Sequence, residues 1–345
     1  MNIAPIQFVR LAIGMAVLLL IASAAAASSP NVPAEAQRDA PEATPRTTEA
    51  HDSVRGLFEA LTPLEPIQIE RLTIVPIARK SEGGLNHLGG HPSVLNTDIV
   101  QREKDHAVLG LHNPTSKTVL VTIGRIAYAD SLEFVTLDKV VVPPHARRIV
   151  EARVIGAADA KLSADPTIRW LPRWVPSGLH GLIAQELKAP DVSLRTLLAS
   201  DEARAFDDKL AKILHVERFR EWNVVGFVAG LDGRAVSGHV FGSPVLHRKK
   251  APGLLGSKAL HAWLTEGEGY KPLTGDAASK SVTKKTRDIL HTLRSKSRWT
   301  HEEQGRFRIE APGLTGTGIL HGGEPVHIAL HPHDVRRGLE PEAGS

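Results

Sequence analysis

Between residues 67 and 154 the chain is a succession of short runs rich in Val, Ile and Leu, each closed by glycine, proline or asparagine. Runs this short suit strands better than helices, and the gaps between them are too brief for the crossovers that a parallel sheet needs. Residues 67–77 read as a strand that Pro76 ends or confines to a sheet edge. Residues 80–92, with two Gly-Gly pairs, read as a loop. Residues 107–111 and 118–123 are strands on either side of Asn113-Pro114-Thr115-Ser116-Lys117, which is turn chemistry. Residues 134–142 and 147–154 are two more, joined through Pro143-Pro144. An antiparallel sheet or sandwich is expected for this half.

The pattern changes after residue 155. Residues 165–178 hold three prolines and two tryptophans and read as an ordered loop. Residues 201–220 place Phe206, Leu210, Ile213 and Leu214 on one helical face. Asp232-Gly233 joins 224–229 to 234–241 as a β-hairpin. A helix is expected at 257–265, limited upstream by Pro252-Gly253, and Ser243 reads as an N-cap. Asp276 is expected to cap a helix to 294 that buries Val282, Ile289, Leu290 and Leu293. Residues 307–311, 316–320 and 326–330 close the chain with strands. Strand and helix do not alternate regularly, so the fold class is α+β: an antiparallel β-rich N-terminal half, then helices and a β-hairpin.

Residues 1–27 carry Arg10, an apolar run from 11 and small residues ending in Ala25-Ala26-Ala27. They read as a signal peptide or, if uncleaved, an N-terminal anchor. Residues 28–52 are mostly Ala, Pro, Glu, Thr and Arg and read as a disordered tether, since they cannot bury enough surface to offset chain entropy. The folded domain is expected at 53–335, with a polar tail at 336–345. The expected location is outside the cytoplasm, periplasmic or secreted. The 345 residues include no cysteine, which excludes disulfides, thiol catalysis and cysteine metal sites.

Three stretches resemble the ADP-ribosylglycohydrolase- and rhodanese-phosphatase-associated protein domain family. The first runs from Leu109-Gly110-Leu111-His112-Asn113 through Val119-Leu120 and Gly124 to Asp138-Lys139-Val140-Val141-Val142-Pro143-Pro144. The second is residues 225–238 with Phe241-Gly242-Ser243, and the third is residues 309–318 with Val326-His327. Together they frame about residues 65 to 331. The resemblance implies a role near ADP-ribose or NAD without naming a reaction. Where the family carries a polar Gln and Arg cluster after the glycine, this chain reads Arg125-Ile126-Ala127-Tyr128-Ala129. That departure implies binding rather than catalysis.

Several residues are candidates for chemistry. Arg169, Trp170, Arg173 and Trp174 pair two aromatics with two guanidinium groups, suited to stacking a ring and gripping a phosphate or to pinning a loop on the core. Residues 245–300 hold twelve Lys and Arg against four Asp and Glu, in a chain whose net charge is only +4. Arg248, Lys249, Lys250, Lys284, Lys285 and Arg287 are the ligand-binding candidates there, suited to a phosphate-rich partner. His327, His331, His333 and Asp334 could hold a divalent metal, as could His87 and His91 with Asp98 or Asp105. No other cofactor is indicated. Aromatics at 4% leave little for base stacking, so sequence-specific nucleic-acid binding is not expected.

Three functions are compatible with these features. One is an exported, non-catalytic domain that binds an anionic ligand or envelope surface, touching a membrane only through an uncleaved N-terminus. The second is a metal-assisted hydrolase of ADP-ribose-like or phosphoester substrates. The third is a cell-envelope structural protein.

Overall fold

The computed structural model describes residues 47–80, 88–103, 105–155, 162–163, 166–175, 208, 223–264 and 273–332. The expected export segment, the tail and the 201–220 helix, apart from Asp208, lie outside them. No helix among the described residues is long and apolar enough to cross a membrane.

Helix α1 (Thr47–Glu59) opens the described chain, within the stretch read as tether. The strands that follow are β1 (Leu61–Pro63), β2 (Ile67–Ile69), β3 (Leu72–Arg79), β4 (Leu88–Gly90), β5 (Asn96–Glu103) and β6 (His106–His112). Then come β7 (Thr118–Val121), β8 (Arg125–Ala129), β9 (Leu132–Thr136), β10 (Val140–Val142), β11 (Arg147–Ile155) and β12 (Arg169–Trp174). The hairpin is β13 (Val224–Leu231) and β14 (Arg234–Phe241), followed by helices α2 (Pro244–Leu264) and α3 (Gly275–Ser295). Strands β15 (Arg298–His301), β16 (Arg306–Ala311), β17 (Leu314–His321) and β18 (Glu324–Pro332) complete the described chain. The architecture is α+β and mostly antiparallel, as expected; among the described residues only β4 and β7 pair in parallel.

The first strands do not belong with their sequence neighbours. β1 and β3 join the C-terminal strands in a nine-stranded sheet of order β1-β3-β13-β14-β18-β17-β16-β15, with β2 also paired to β3. The expected single strand at 67–77 is instead a β2–β3 hairpin, turned at Glu70 with φ 53°. Pro76 is interior to β3, not at its end. It stands opposite Phe227 of β13 but turns its polar edge the other way, to the gap between the residues paired with β2 (72–74) and those paired with β1 (77–79). There its carbonyl accepts from Leu64 N–H and no ladder bond needs its missing N–H.

Residues 88–174 form a sandwich of a six-stranded sheet, β12-β8-β9-β11-β6-β5, and a three-stranded sheet, β10-β7-β4. The run 134–142 is divided between the two, because the chain leaves β9 for the other layer at Leu137. β12 is a strand where a loop was expected, paired with β8. Val119, Val121, Val140 and Val142 face the sandwich core, while Leu120 and Val141 face the large sheet. The small sheet is therefore buried on both sides, which accounts for its unbroken valine run.

The large sheet also has two covered faces. Val75, Ile77, Val228, Ile328 and Leu330 pack against α1 and α3. Ile74, Phe227, Ala229 and Phe241 face α2 and the small sheet. α3 buries Val282, Ile289, Leu290 and Leu293 as expected, but its N-cap is Thr274, and Asp276 sits in the first turn near the positive end of the dipole. α2 begins thirteen residues before the expected start and runs through Pro252. Pro252 and Arg248 are both exposed, so water can serve the carbonyl that the proline leaves unbonded. The Ser243 hydroxyl accepts from Leu246 N–H at 3.2 Å, in keeping with the cap expected there.

Gly253 lets α2 approach β12. A Cβ at that position would lie 1.8 Å from Cζ3 of Trp174. Gly253→Ala is expected to lose about 1–3 kcal/mol of stability through overpacking, read as a lowered urea midpoint with an unchanged slope.

Candidate functional site

The layer between the large sheet and the α2–small-sheet side holds, among apolar side chains and the buried Ser237 hydroxyl, a row of cationic and imidazole side chains. Strand alternation puts Ser237, His239 and Phe241 on one face of β14, and His327, Ala329 and His331 on the same face of β18. His327 stands opposite Phe241, and His239 opposite Ala329, so the two rings meet diagonally. Nδ1 of His239 lies 3.2 Å from Nε2 of His327, with the rings only 6° from parallel. One imidazole donates to the other, so both are neutral or share one proton. The remaining atoms, Nε2 of His239 and Nδ1 of His327, are buried without a hydrogen-bond partner among the described residues. Burial and the surrounding cations hold both pKa values well below the usual histidine range.

Those cations come from three elements. Lys139, on the link between β9 and β10, crosses to the large sheet and donates to the carbonyl and hydroxyl of Thr317, each at 2.8 Å. Lys250 of α2 donates to the carbonyl of Leu120 at 3.1 Å. Lys258, one face further along α2, is also buried. Burial pushes Lys139 and Lys250 down from 10.5 to about 7 and Lys258 to about 8. Arg125 and Lys249 add to the effect on Lys250. His247 is enclosed beside Phe227 and Phe241, and burial takes it down to about 3.

Arg125, the first residue of β8, is 0% exposed. Its guanidinium lies over the Trp174 ring, 4.1 Å from the centroid. Nη2 donates to Nε2 of His91 at 2.9 Å, which requires that ring nitrogen to be unprotonated. The other ring nitrogen of His91 lies 2.8 Å from the Ser93 hydroxyl. Nε and Nη1 of Arg125 have no hydrogen-bond partner among the described residues. Burial lowers its pKa to about 9, so it stays charged at neutral pH. Among the described residues no carboxylate forms an ion pair with Arg125, Lys139 or Lys250. An uncompensated buried charge costs several kcal/mol, and the effect of each cation on the next makes the row harder still to keep charged.

The sequence candidates distribute unevenly over this geometry. Lys250 and His327 belong to the buried row, and His331 borders it. Trp174 forms the floor under Arg125 and donates to the Thr122 hydroxyl. Trp170 is buried in the sandwich core, where its indole N–H donates to Thr97 at 3.0 Å, and Arg169 is exposed. Arg173 lies in β12, and the placement of its side chain falls outside the description. Arg248 and Lys249 are exposed on α2, whereas Lys284 and Arg287 are exposed on α3, across the large sheet. Lys285 is half-buried there. The basic segment therefore does not form one continuous face, because its two helices cover opposite sides of the sheet.

His333 and Asp334 lie outside the described residues, as does His87. His91 faces a guanidinium rather than a metal, and its expected acidic companions are engaged elsewhere, Asp98 with Arg147 at 2.7 Å and Asp105 with Arg153 at 2.9 Å. Among the described residues no group of three or more His, Cys, Asp or Glu is placed to hold a metal ion.

Arg125, Lys139, His239 and Lys258 carry much of the row and were not among the sequence candidates. The available signal was a basic or imidazole side chain at the inward position of an apolar strand or helix: Arg125 before Ile126-Ala127, Lys139 before three valines, and His239 in register with Phe241. Comparison of the chain with models of protein families, with curated proteins and with solved structures finds no match.

Proposed function

We propose that this protein is a non-catalytic binding domain for an anionic ligand of the phosphate or sulfate class, held in the seam beside Arg125 and Lys250. One observation carries the reading: a fully buried guanidinium, charged at neutral pH, with two nitrogens that have no hydrogen-bond partner and no ion pair to a carboxylate among the described residues, next to the buried Lys250. An oxyanion would supply the missing acceptors through charge-assisted hydrogen bonds and cancel the charge. Among the described residues the histidine pair has no third His, Cys, Asp or Glu beside it, so the reading rests on the cations rather than on a metal. We further propose that the domain works outside the cytoplasm, on the strength of the apolar N-terminal run and small-residue exit. ADP-ribose, which the family resemblance implies, offers the same phosphate chemistry in a larger molecule.

Thermal unfolding of the full chain with inorganic phosphate, sulfate or ADP-ribose tests the reading. At about 100 times the dissociation constant a ligand of the folded state adds about 2.7 kcal/mol, equivalent to a rise of several degrees in Tm. A rise with ADP-ribose alone would assign the site to the nucleotide ligand; a rise with all three would assign it to the oxyanion itself. No rise with any of them rejects the reading.

A further inference from the structure

Resting on that reading, we propose that the seam takes up its oxyanion together with protons: Lys139 and Lys250 are neutral amines in the free protein and become ammonium groups when a dianion enters beside Arg125. The hydrogen bonding supports this assignment. An ammonium group seeks three acceptors. Lys250 Nζ has one, the carbonyl of Leu120. Lys139 Nζ has the carbonyl and hydroxyl of Thr317, and that hydroxyl can equally donate to an amine lone pair.

The surroundings oppose charge on both groups. Lys250 faces Arg125 and His91 from the sandwich, Lys249 from its own helix and His327 from the large sheet. Lys139 faces His239 and His327, and the single described carboxylate acting on it is that of Glu302. Lys258 and His331 add further positive potential at the histidine pair. Arg125 cannot yield its proton near neutral pH, so relief falls to the lysines. Two like charges 8 Å apart at an effective dielectric of 20 repel by about 2 kcal/mol, which is enough to move a lysine toward the neutral form. A dianion reverses the sign of that field. Each amine nitrogen then takes a proton from solvent through its lone pair; the Lys250 ammonium and the guanidinium face the negative oxygens, while Lys139 adds its positive charge from the other side of the histidine pair. No bond to the anion is made or broken.

The consequence is an affinity that falls as pH rises, through the protein's protons rather than the ligand's. Sulfate is the suitable probe because it remains a dianion throughout the range. Calorimetric titration of the full chain with sulfate, near pH 8.5 and in buffers of different ionisation enthalpy, should show net uptake of one to two protons per anion. Between pH 7.5 and 8.5, above the lysines and below Arg125, the dissociation constant should rise about ten-fold per pH unit for each linked proton. Lys250→Met should remove part of the uptake while Arg125 still supports weakened binding. If that variant fails to fold by circular dichroism, Lys139→Met makes the same test from the other side of the seam. Sulfate binding with no proton uptake and a pH-independent affinity would overturn this inference and leave the binding reading intact. No sulfate or phosphate binding between pH 6 and 9.5 would reject both.

Discussion

In a buffer free of phosphate and sulfate, raising the pH from 7 to 10 is expected to stabilise this protein. Lys139 and Lys250 titrate near 7 when folded and near 10.5 when unfolded, and Lys258 follows from about 8. Across that window the unfolded chain binds more protons than the folded one, so unfolding free energy rises with pH. Each lysine contributes at most about 1.4 kcal/mol per pH unit while it is protonated in the unfolded chain and neutral in the fold. The net gain is on the order of several kcal/mol. Below pH 7 the lysines are charged in both states and their contribution is flat. Below about 6.5 the buried histidines extend the loss, because His239, His247 and His327 protonate in the unfolded chain before they can do so in the fold. Urea midpoints at pH 6, 7, 8.5 and 10 measure the profile. The double variant Lys139→Met/Lys250→Met should flatten its alkaline limb. A parent profile that falls steadily above pH 7 would show that the folded protein keeps these lysines charged.

Replacing Arg125 by methionine is expected to separate stability from binding. The methionine stem still covers Trp174, while the buried charge and its unmet N–H groups disappear. In anion-free buffer the unfolding free energy should be unchanged or higher, by up to about 3 kcal/mol, because apolar replacement of a poorly compensated buried charge is often neutral or favourable. In saturating phosphate the order should invert. The parent gains its full ligand increment, and the variant loses roughly 1.5–3 kcal/mol of anion affinity, about ten- to a hundred-fold in Kd. Chemical denaturation with and without phosphate, combined with direct titration, gives both numbers. A variant that is strongly destabilised without anion and binds phosphate normally would identify Arg125 as a structural group held by His91 and Trp174.

The turn between the two strands of the C-terminal hairpin illustrates what was legible in the residues. Asp232 and Gly233 adopt φ 52° and 82°, positive values that aspartate tolerates and glycine, lacking a Cβ, adopts freely, and so fix the β13–β14 register. The structure adds a contact no local pattern contains: Arg71, at the neighbouring β2–β3 turn, grips the Asp232 carboxylate with Nε at 2.8 Å. α3 was equally legible, since a helical stripe of Val282, Ile289, Leu290 and Leu293 specifies its buried face. Trp170-Leu171-Pro172 was misleading for a definite reason. Proline and paired tryptophans read as a loop, yet an irregular edge strand tolerates proline and buries aromatics on alternate sides. The basic tract from 248 to 298 was a correct sum of charge but carried no information about direction. Lys249 and Lys250 are adjacent in sequence, and one is exposed while the other is buried.

Amino-acid pattern alone determined the α+β class, the short antiparallel strands, the hairpin and the amphipathic face of α3, because each depends on spacing within one element. Only the tertiary structure decided that Arg125, Lys139, Lys250 and His327 are buried in one layer. They lie far apart in the chain, on a strand of the six-stranded sheet, a link, a helix and a strand of the large sheet that do not pair with one another, and they meet only because those layers pack face to face, which no local periodicity specifies.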